Sequence, residues 1–401
     1  MAGPLSGIKV LDLSRFIAGP YCAMMLADMG AEVIKIETSI SGDPGRSHPP
    51  LIEDESLYHQ VYNRNKSGML LNLREEDDKA IFRELLLKAD IMVENFRPGT
   101  LDKMGFSWDE LHRLNPGLIL ASITGFGQDG PLKDRPCFDV IAQAMSGLMS
   151  ITGSADGPPM RYGSFVTDYT SGMYTVIGIL AALNVRNSSG EGQHVNVSLI
   201  DSALSLLMTA IPEKKLLNRT MGRHGNRDRY GAPSSAYKTA EGEWVFIAAG
   251  NSLVFPRLAA AMGMPELLAD PRFATMDQRL ANFDDLEPIV AHWFAAHGTA
   301  EVLEILTREN VPCARVNSVD EMLASEDLEI ERRLVTVDHP KLGKVPMQGV
   351  TVHLSGTPLE VVRPAPGVGE HNSEILKTWL DWSDEDIVRH QATREATHHA
   401  E

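Results

Sequence analysis

Apolar and polar residues alternate with two different periods in the first part of the chain. The segments "IKVLDLS" at 8–14 and "AEVIKIE" at 31–37 are typical of buried strands. The segment between them, "GPYCAMMLADMG", has apolar residues at helical spacing, with Pro20 in its first turn and Gly30 at its end. The pattern therefore predicts a β-α-β unit over residues 8–37, in which two parallel strands are joined by a right-handed crossover.

Strands and helices keep alternating beyond this unit. "IMVENF" and "LILASITGF" are typical of further strands, and "EEDDKAIFRELLLKAD" is typical of a helix. A long apolar helix is predicted over 169–186. Strands separated by helices of this length favour an α/β fold around a parallel sheet.

A chain of 401 residues is longer than one hydrophobic core usually supports, so two domains are expected. Near residue 212 the composition changes to a basic, loop-like connection that carries Lys214, Lys215, Arg219, Arg223, Arg227 and Arg229. Strand-like and helical segments after it predict a smaller α+β domain. We predict that residues 1–211 begin a large domain, 212–224 form a linker, 225–330 form the small domain and 331–401 return to the large one.

The composition argues against several classes of partner. The net charge of −17 disfavours binding to nucleic acid or to anionic membranes. The sequence contains neither a signal-peptide pattern nor a run of the roughly 20 apolar residues that a membrane-spanning helix needs. Its three cysteines are far apart and follow no metal-binding or disulfide spacing: Cys22, Cys137 and Cys313. We therefore expect a cytoplasmic protein with reduced thiols and no metal site.

One glycine motif has the spacing of a dinucleotide-binding loop. Gly125, Gly127 and Gly130 follow the strand "LILASIT" directly. In a dinucleotide-binding loop the third glycine lies in the first turn of a helix, which then faces the pyrophosphate. Here Pro131 follows the third glycine, and no helical periodicity begins before about Val140. The motif therefore does not predict NAD binding.

Seven segments, in order, resemble the family III coenzyme A transferases, which include formyl-CoA transferase and carnitine CoA-transferase. They are "GIKVLDLSRFIAGPYCAMMLADMGAEVIKIE", "YNRNKSGMLLNL", "VENFRPGTLDKMGF", "SITGFGQDGPLKDRPCFDVIAQAMSGLMSITG", "GPPMRYGSFVTDYTSGMYTVIGILAAL", "VPCARV" and "GVGEHNSEIL". The resemblance implies a Rossmann-like large domain, with a parallel sheet built from both chain ends, and a smaller α+β domain. It also implies an interlocked homodimer that uses an acyl-CoA and a carboxylic acid, with no metal and no NAD.

The resemblance places the catalytic aspartate of the family at Asp168. From the residues alone, an aspartate before an apolar helix is usually an N-cap. As the implied nucleophile, Asp168 attacks the donor thioester to form a mixed anhydride, and the released CoA thiolate converts this anhydride into an aspartyl-CoA thioester. With a reference pKa of about 3.9, the carboxylate is expected to be ionised without the help of a base.

Two neighbouring positions refine this interpretation. Asp139 aligns with an acidic position near the nucleophile, and its alternative role is another helix N-cap. Alpha-methylacyl-CoA racemases share the fold but have a His–Asp pair here, whereas this chain has Phe138, which cannot exchange a proton. A racemase or isomerase is therefore the less favoured alternative, and a non-catalytic CoA-binding protein is a further one.

The resemblance also implies a set of CoA-binding residues. They are Phe16, Ile17, Ala18, Leu71, Asn72, Leu73, Asn95, Phe96, Arg97, Lys103 and Met104. Thr38 and Pro136 stand where the family often has basic residues. Phosphate contacts must then come from elsewhere, with Arg46 and Lys66 as candidates.

The acid substrate has its own candidate residues in the basic segment "RHGNRDRYGAPSS". Arg227 and Arg229 could hold a second carboxylate through bidentate hydrogen bonds, although a solvated basic linker is the alternative. We therefore expect dicarboxylic acids among the substrates, with succinyl-CoA as a natural donor.

Overall fold

The computed structural model describes residues 3–37 and 41–390. Thr38, one of the two departures from the family pattern, lies outside the described residues. The strands are β1 Lys9–Asp12, β2 Glu32–Glu37, β3 Leu51–Ile52, β4 Glu55–Ser56, β5 Ser67–Leu70, β6 Ile91–Glu94, β7 Ile119–Thr124, β8 His194–Ser198, β9 Ser234–Lys238, β10 Trp244–Ala248, β11 Cys313–Arg315, β12 Leu334–His339 and β13 Gly343–Gln348.

Helices connect most of these strands. The α-helices are α1 Ala18–Asp28, α2 Leu57–Asn63, α3 Glu76–Lys88, α4 Thr100–Met104, α5 Trp108–Leu114, α6 Asp139–Ser146, α7 Leu148–Ile151, α8 Val166–Ser189, α9 Leu199–Ser205, α10 Ala210–Leu217, α11 Phe255–Ala261, α12 Met276–Ala281, α13 Phe283–Ala295, α14 Thr299–Arg308, α15 Val319–Leu323 and α16 Asn372–Leu380. Among the described residues, no helix is long and apolar enough to cross a membrane.

The chain divides into two compact units. The large unit contains the described residues within 1–148, 162–208 and 331–401, and the small unit contains 149–161 and 209–330. In the segment expected to be a loop-like connection, residues 210–217 form helix α10. The domain limits given above stay a prediction.

The large unit is built around a six-stranded sheet in the order β5-β2-β1-β6-β7-β8, and all of its strand pairs are parallel. The first crossover, β1-α1-β2, is the predicted one, with Pro20 inside α1 and Gly30 at φ +92° just after it. One apolar core lies on each face of the sheet, as expected when strands are covered by helices on both sides. The α/β class with a parallel sheet is confirmed.

The origin of the strands differs from the prediction in one respect. All six come from residues 9–198, so the sheet itself is not built from both chain ends. The C-terminal segment instead covers the open edge of β5, where His371 Nδ1 accepts a hydrogen bond from Gly68 N and Asn372 Oδ1 accepts one from Leu70 N. Helix α16 begins at Asn372 and packs Ile375, Leu376 and Trp379 into the core. The N–H groups on the open edge of β5 can donate to these side chains instead of to a neighbouring strand, so the start of a helix can cover the edge.

The small unit contains a three-stranded antiparallel sheet in the order β11-β10-β9. Helices α11, α13 and α14 pack their apolar faces on it, and Phe255, Phe294 and Leu306 are in the shared core. Its antiparallel strands and separate helices have the α+β character that the sequence predicts.

Candidate active site

A cavity of about 410 Å³ opens beyond the carboxyl ends of β1, β6 and β7, and every residue that lines it belongs to the large unit. Its walls come from the loops after these strands and from the start of α8. In the strand order, β1 and β6 are the neighbours at which the chain connections reverse direction across the sheet. Open α/β sheets bind their ligands at this type of position.

A second cavity, of about 640 Å³, lies at the amino ends of the strands, on the side of the sheet opposite to the first cavity. It is lined by Lys9 and Glu32, at the amino ends of β1 and β2, and by Trp379 of α16. None of the predicted site residues lines it. We therefore take the smaller cavity, at the carboxyl ends of the strands, as the candidate active site.

Asp168 lines the candidate cavity as the third residue of α8. Phe165 precedes the helix, so Asp168 does not cap it, and the N-cap interpretation is wrong. The carboxylate of Asp139 caps the start of α8 instead. Oδ1 of Asp139 accepts hydrogen bonds from Thr167 N at 2.7 Å and from Thr167 Oγ1 at 2.7 Å. The start of α8 is therefore held by a side chain 28 residues earlier in the chain.

The second oxygen of Asp139 is also occupied. Oδ2 accepts a hydrogen bond from Gln143 Nε2 at 2.6 Å, and Gln143 Oε1 accepts one from Tyr162 N at 2.9 Å. Asp139 is buried and is the first residue of α6, after Phe138, so it does not cap its own helix as expected. Its geometry makes it a support for Asp168 through Thr167.

The Asp168 carboxylate has no such partners. No described residue donates a hydrogen bond to its side-chain oxygens, although its backbone N–H lies 3.4 Å from Oδ1 of Asp139. Burial raises the pKa of Asp168 to about 7, and the charge of Asp139 adds to the rise. This differs from the expectation of an ordinary, fully ionised carboxylate, because burial and the nearby charge of Asp139 both favour the neutral acid.

The loops after β1 and β6 are tied together at the reversal point. Asn95 Oδ1 accepts a hydrogen bond from Arg15 N at 2.8 Å, and Asn95 Nδ2 donates one to Arg15 O at 2.7 Å. The next residue, Phe16, has φ +65°, a conformation that bulky side chains rarely adopt. Its N–H donates to Asp43 Oδ1 at 3.3 Å. This strained turn forms part of the cavity wall.

The structure brings together about half of the predicted CoA-binding residues. Phe16, Ile17, Ala18, Asn95, Phe96 and Arg97 line the cavity. Leu71, Asn72, Leu73, Lys103 and Met104 do not. Leu71 and Leu73 are buried in the core of the large unit, and Lys103 is exposed at the end of α4.

Arg46 and Lys66 were the alternative candidates for phosphate contacts, and the structure contradicts both. Lys66 is fully buried and donates hydrogen bonds to Asp12 Oδ2 at 2.8 Å and to two further oxygens. Arg46 pairs with Glu37 at 2.7 Å and donates to the carbonyl of Pro366. Neither side chain lines the cavity, because each is used in holding the sheet and its loops together.

Comparison with known proteins assigns the family. The profile described as CoA-transferase family III matches residues 5–372. The chain is 40% identical over 393 residues to succinyl-CoA–D-citramalate CoA-transferase of Chloroflexus aurantiacus, with 98% of each chain covered. It is 37% identical to the succinyl-CoA–L-malate CoA-transferase beta subunit of the same organism, with 96% of each chain covered. The chain belongs to CoA-transferase family III.

A solved structure supports the assignment. A CAIB/BAIF family protein from Brucella suis aligns with a TM-score of 0.83 and 32% identity, covering 94% of this chain and 100% of the other. As a family III CoA-transferase, the protein acts between acyl-CoA and acid substrates. Within the described residues, no group of three or more His, Cys, Asp or Glu side chains is placed to hold a metal ion.

Of the cavity-lining residues of this CoA-transferase that sequence reasoning missed, four have a basic or thiol side chain. They are Arg15, Lys133, Arg135 and Cys137. Three of them, Lys133, Arg135 and Cys137, lie in the loop that follows the glycine motif. The useful signal was the clustering of basic residues in "GPLKDRPC", directly before the segment that contains Asp139. Phe138 also lines the cavity and is 61% exposed, so an aromatic ring, without an exchangeable proton, stands in the position of the racemase histidine.

Arg227 and Arg229 lie in the small unit, and their guanidinium groups have protein partners. Arg227 pairs with Asp284 at 2.6 Å and with Glu287, and it stacks over the ring of Phe283. Arg229 pairs with Glu213 at 3.0 Å. Binding of a substrate carboxylate by these arginines stays a prediction, and it requires these pairs to open.

Proposed function

We propose that this CoA-transferase moves CoA from succinyl-CoA to a dicarboxylic acid through a covalent intermediate on Asp168. One observation carries the proposal: the Asp168 carboxylate, to which no residue in the described part of the chain donates a hydrogen bond, lines a cavity at the reversal point of the sheet. The relatives named above use succinyl-CoA and the acids citramalate and malate, according to their names. Both acids have two carboxyl groups, which supports a dicarboxylic acceptor for this chain.

The chemistry needs only the side chain and the two substrates. An ionised oxygen of Asp168 attacks the thioester carbon of succinyl-CoA, the carbon–sulfur bond breaks, and CoA leaves as the thiolate. The thiolate then attacks Cγ of Asp168 in the mixed anhydride, which releases succinate and leaves an aspartyl-CoA thioester. The acceptor carboxylate repeats the two steps in reverse and regenerates Asp168. Each step exchanges one activated carboxyl derivative for another.

The environment of Asp168 suits this role. No described residue donates a hydrogen bond to the half-buried Asp168 carboxylate, so its lone pairs are available for attack. Bound substrates that fill the cavity would keep water away from the anhydride and the thioester. The same burial raises the pKa, so the nucleophile is ready only after its proton is lost. Asp139 acts as a positioning residue in this scheme, because it holds Thr167 and the first turn of α8 in place.

We also propose that the protein is a homodimer, with the interlocked arrangement as the predicted form. Met173, Ile177 and Leu180 recur at helical spacing on one side of α8 and are 37–61% exposed. An apolar stripe of this kind is usually covered by a partner. Light scattering coupled to size-exclusion chromatography should give twice the mass of the chain, and a stable monomer at micromolar concentration would contradict the dimer.

A trapping experiment tests the covalent intermediate. The protein is incubated with succinyl-CoA, treated with hydroxylamine or borohydride, and digested for mass spectrometry. We expect a modified peptide that contains Asp168 in the native protein and none in an Asp168→Asn variant. Exchange of the α-proton with solvent deuterium, without trapping, would instead favour the racemase alternative. CoA binding with neither result would favour a non-catalytic CoA-binding protein.

The acid acceptor can be tested separately. A panel of mono- and dicarboxylic acids is offered with succinyl-CoA as the donor, and the new thioesters are separated by liquid chromatography. We expect dicarboxylic acids to be accepted with higher kcat/KM than monocarboxylic acids of the same length. Equal values for both classes would remove the dicarboxylic part of the proposal.

A further inference from the structure

The turn after β1 is held by buried side chains from β2 and from the loop that follows β2. Lys35 Nζ donates a hydrogen bond to Ser14 O, and Asp43 Oδ1 accepts one from Phe16 N at 3.3 Å. The residue between them, Arg15, has both of its backbone groups bonded to a side-chain amide. Four consecutive polar groups of the backbone are therefore bonded to side chains. The φ of +65° at Phe16 costs free energy, and such a conformation persists only when its surroundings fix it in this way.

Lys35 and Asp43 form a buried ion pair. Lys35 Nζ lies 2.9 Å from Asp43 Oδ2, and the two side chains are only 1% and 2% exposed. Burial favours the neutral form of Asp43, but the attraction of Lys35 and several hydrogen bonds outweigh it, so the pKa of Asp43 is lowered. Neither side chain of the pair lines the candidate cavity. Any effect of the pair on a substrate must therefore pass through the turn that contains Phe16.

The ring of Phe16 lies between two other rings at the cavity wall. It meets His48 and Phe138 edge-on, with ring centroids 5.8 Å apart in both cases. Phe16 and Phe138 both line the cavity. Edge-on contacts of this kind are favourable and specific in geometry, so they limit the movement of the ring. Phe16 and Phe138 together form an aromatic wall.

The aromatic wall borders the reacting carboxylate. Phe138 directly precedes Asp139, which supports Asp168 through the first turn of α8. On the other side of Phe16, the ring of His48 packs against Tyr58 with centroids 5.1 Å apart. Burial raises the pKa of Tyr58, and the nearby charge of Asp168 adds to the rise. An acyl group on the carbon that Asp168 attacks therefore lies beside this wall.

We propose that Phe16 limits the length of the acyl group that the active site accepts, and that Asp43 and Lys35 act through it as positioning residues. This inference rests on the proposed function, because it assumes that the acyl group reaches Asp168 in this cavity. The acyl groups of the donor and of the acceptor are both bonded to Asp168 in turn, so the same wall contacts each of them. A fixed apolar wall discriminates between acids that differ in methylene groups, because closely packed rings do not move aside for extra atoms.

Competition between two donors tests the proposal. Succinyl-CoA and adipoyl-CoA, whose acyl chains differ by two methylene groups, are mixed with one acid acceptor, and liquid chromatography follows the consumption of both donors. The ratio of the two rates gives the ratio of kcat/KM, and this ratio does not change when only part of the protein is folded. We expect Phe16→Ala to raise the ratio of adipoyl-CoA to succinyl-CoA consumption at least about tenfold, because it removes the ring from the wall.

Asp43→Asn tests the positioning role. This substitution keeps an oxygen for Phe16 N but removes the ion pair with Lys35, so the ratio should rise in the same direction by a smaller factor. Asp28→Asn is the matched control, because Asp28 is also a buried aspartate, pairs with Arg64 at 2.7 Å and does not line the active-site cavity. We expect the control to leave the ratio unchanged, even if it lowers the unfolding midpoint. In a Phe16→Ala background, Asp43→Asn should add nothing, because its effect passes through the missing ring.

Other outcomes overturn the proposal. An unchanged or lower ratio in Phe16→Ala would show that the ring does not limit the acyl group. An unchanged ratio in Asp43→Asn, or an equal effect of this substitution with and without the ring of Phe16, would remove the positioning role. If the native protein consumes neither donor, the proposed function itself fails, and this is seen before any variant is compared.

Discussion

Two acidic side chains of the large unit, Asp12 and Asp168, have opposite environments. Asp12 ends β1 and is fully buried, yet its pKa is lowered, because the attraction of Lys66 and Lys35 and several hydrogen bonds outweigh the cost of burial. Asp168 lines the cavity, no described residue donates a hydrogen bond to its carboxylate, and its pKa is raised to about 7. Burial alone therefore does not determine the charge of a carboxylate; the partners that come with burial do.

A third carboxylate sharpens the comparison. Glu94 ends β6, is buried, and its pKa is also raised to about 7, mainly by burial. Unlike Asp168, it accepts a hydrogen bond from Phe96 N at 2.7 Å and does not line the cavity. A raised pKa therefore does not identify a reactive group by itself. Asp168 is distinguished by the combination of a raised pKa, access to the cavity and the lack of a hydrogen-bond donor within residues 3–37 and 41–390.

The largest expected effect comes from removing the unpaired carboxylate. Asp168→Asn keeps the shape of the side chain but loses the nucleophilic oxygen, so kcat should fall at least about 1000-fold. Glu94→Gln is the matched control, because it neutralises a carboxylate of similar pKa outside the cavity. Steady-state exchange of CoA between succinate and the acid measures both. Undiminished exchange by Asp168→Asn would end the covalent mechanism.

For Asp12, the carboxylate that is paired with Lys66, we expect a change in stability and not in catalysis. Lys66→Met leaves Asp12 buried without its nearest cation, and this should lower the free energy of unfolding by about 3–5 kcal/mol. Lys79→Met, which breaks an ion pair with the exposed Glu76, should lower the stability far less, because water screens that pair. Chemical denaturation measures both. Equal midpoints for the two variants would show that the buried pair contributes no more than a surface pair.

A smaller effect should follow from changing the support of Asp168. Asp139→Asn keeps an oxygen for Thr167 but removes the negative charge near Asp168 and disturbs the bond from Gln143. We expect kcat to fall about tenfold and the apparent pKa of kcat/KM to move to lower pH. A loss of rate with no movement of the pH profile would indicate a purely structural role.

The smallest effects concern the pH dependence of the native protein. Because Asp168 must be ionised to attack, kcat/KM should rise as pH increases through about 7 and level off above it. The raised pKa of the folded state also means that this group favours folding at low pH, and that stability falls as pH rises through about 7. Asp168→Asn should flatten both trends. An unchanged slope of stability against pH in this variant would assign the slope to other groups.

Local pattern was enough to predict the elements near the site. The β-α-β unit at 8–37 followed from hydrophobic period, Pro20 and Gly30, and the structure contains it. Resemblance, not pattern, led to Asp168, because an aspartate at a helix start has an ordinary structural explanation. That explanation was wrong for a reason that only the fold reveals: the cap of α8 comes from Asp139, 28 residues away.

The sequence by itself determined the fold class, the family and the identity of the candidate nucleophile, because these depend on local periodicity and on motifs in a preserved order. Only the tertiary structure decided which charged side chains are used in ion pairs and hydrogen bonds inside the protein. It assigned Lys66 and Arg46 to internal pairs. Among the residues that the structure describes, it placed no side-chain partner beside Lys133 and Arg135 at the cavity and no donor beside the Asp168 carboxylate. Ion pairing and desolvation depend on which distant segments meet in space, and neighbours in the sequence do not specify these meetings.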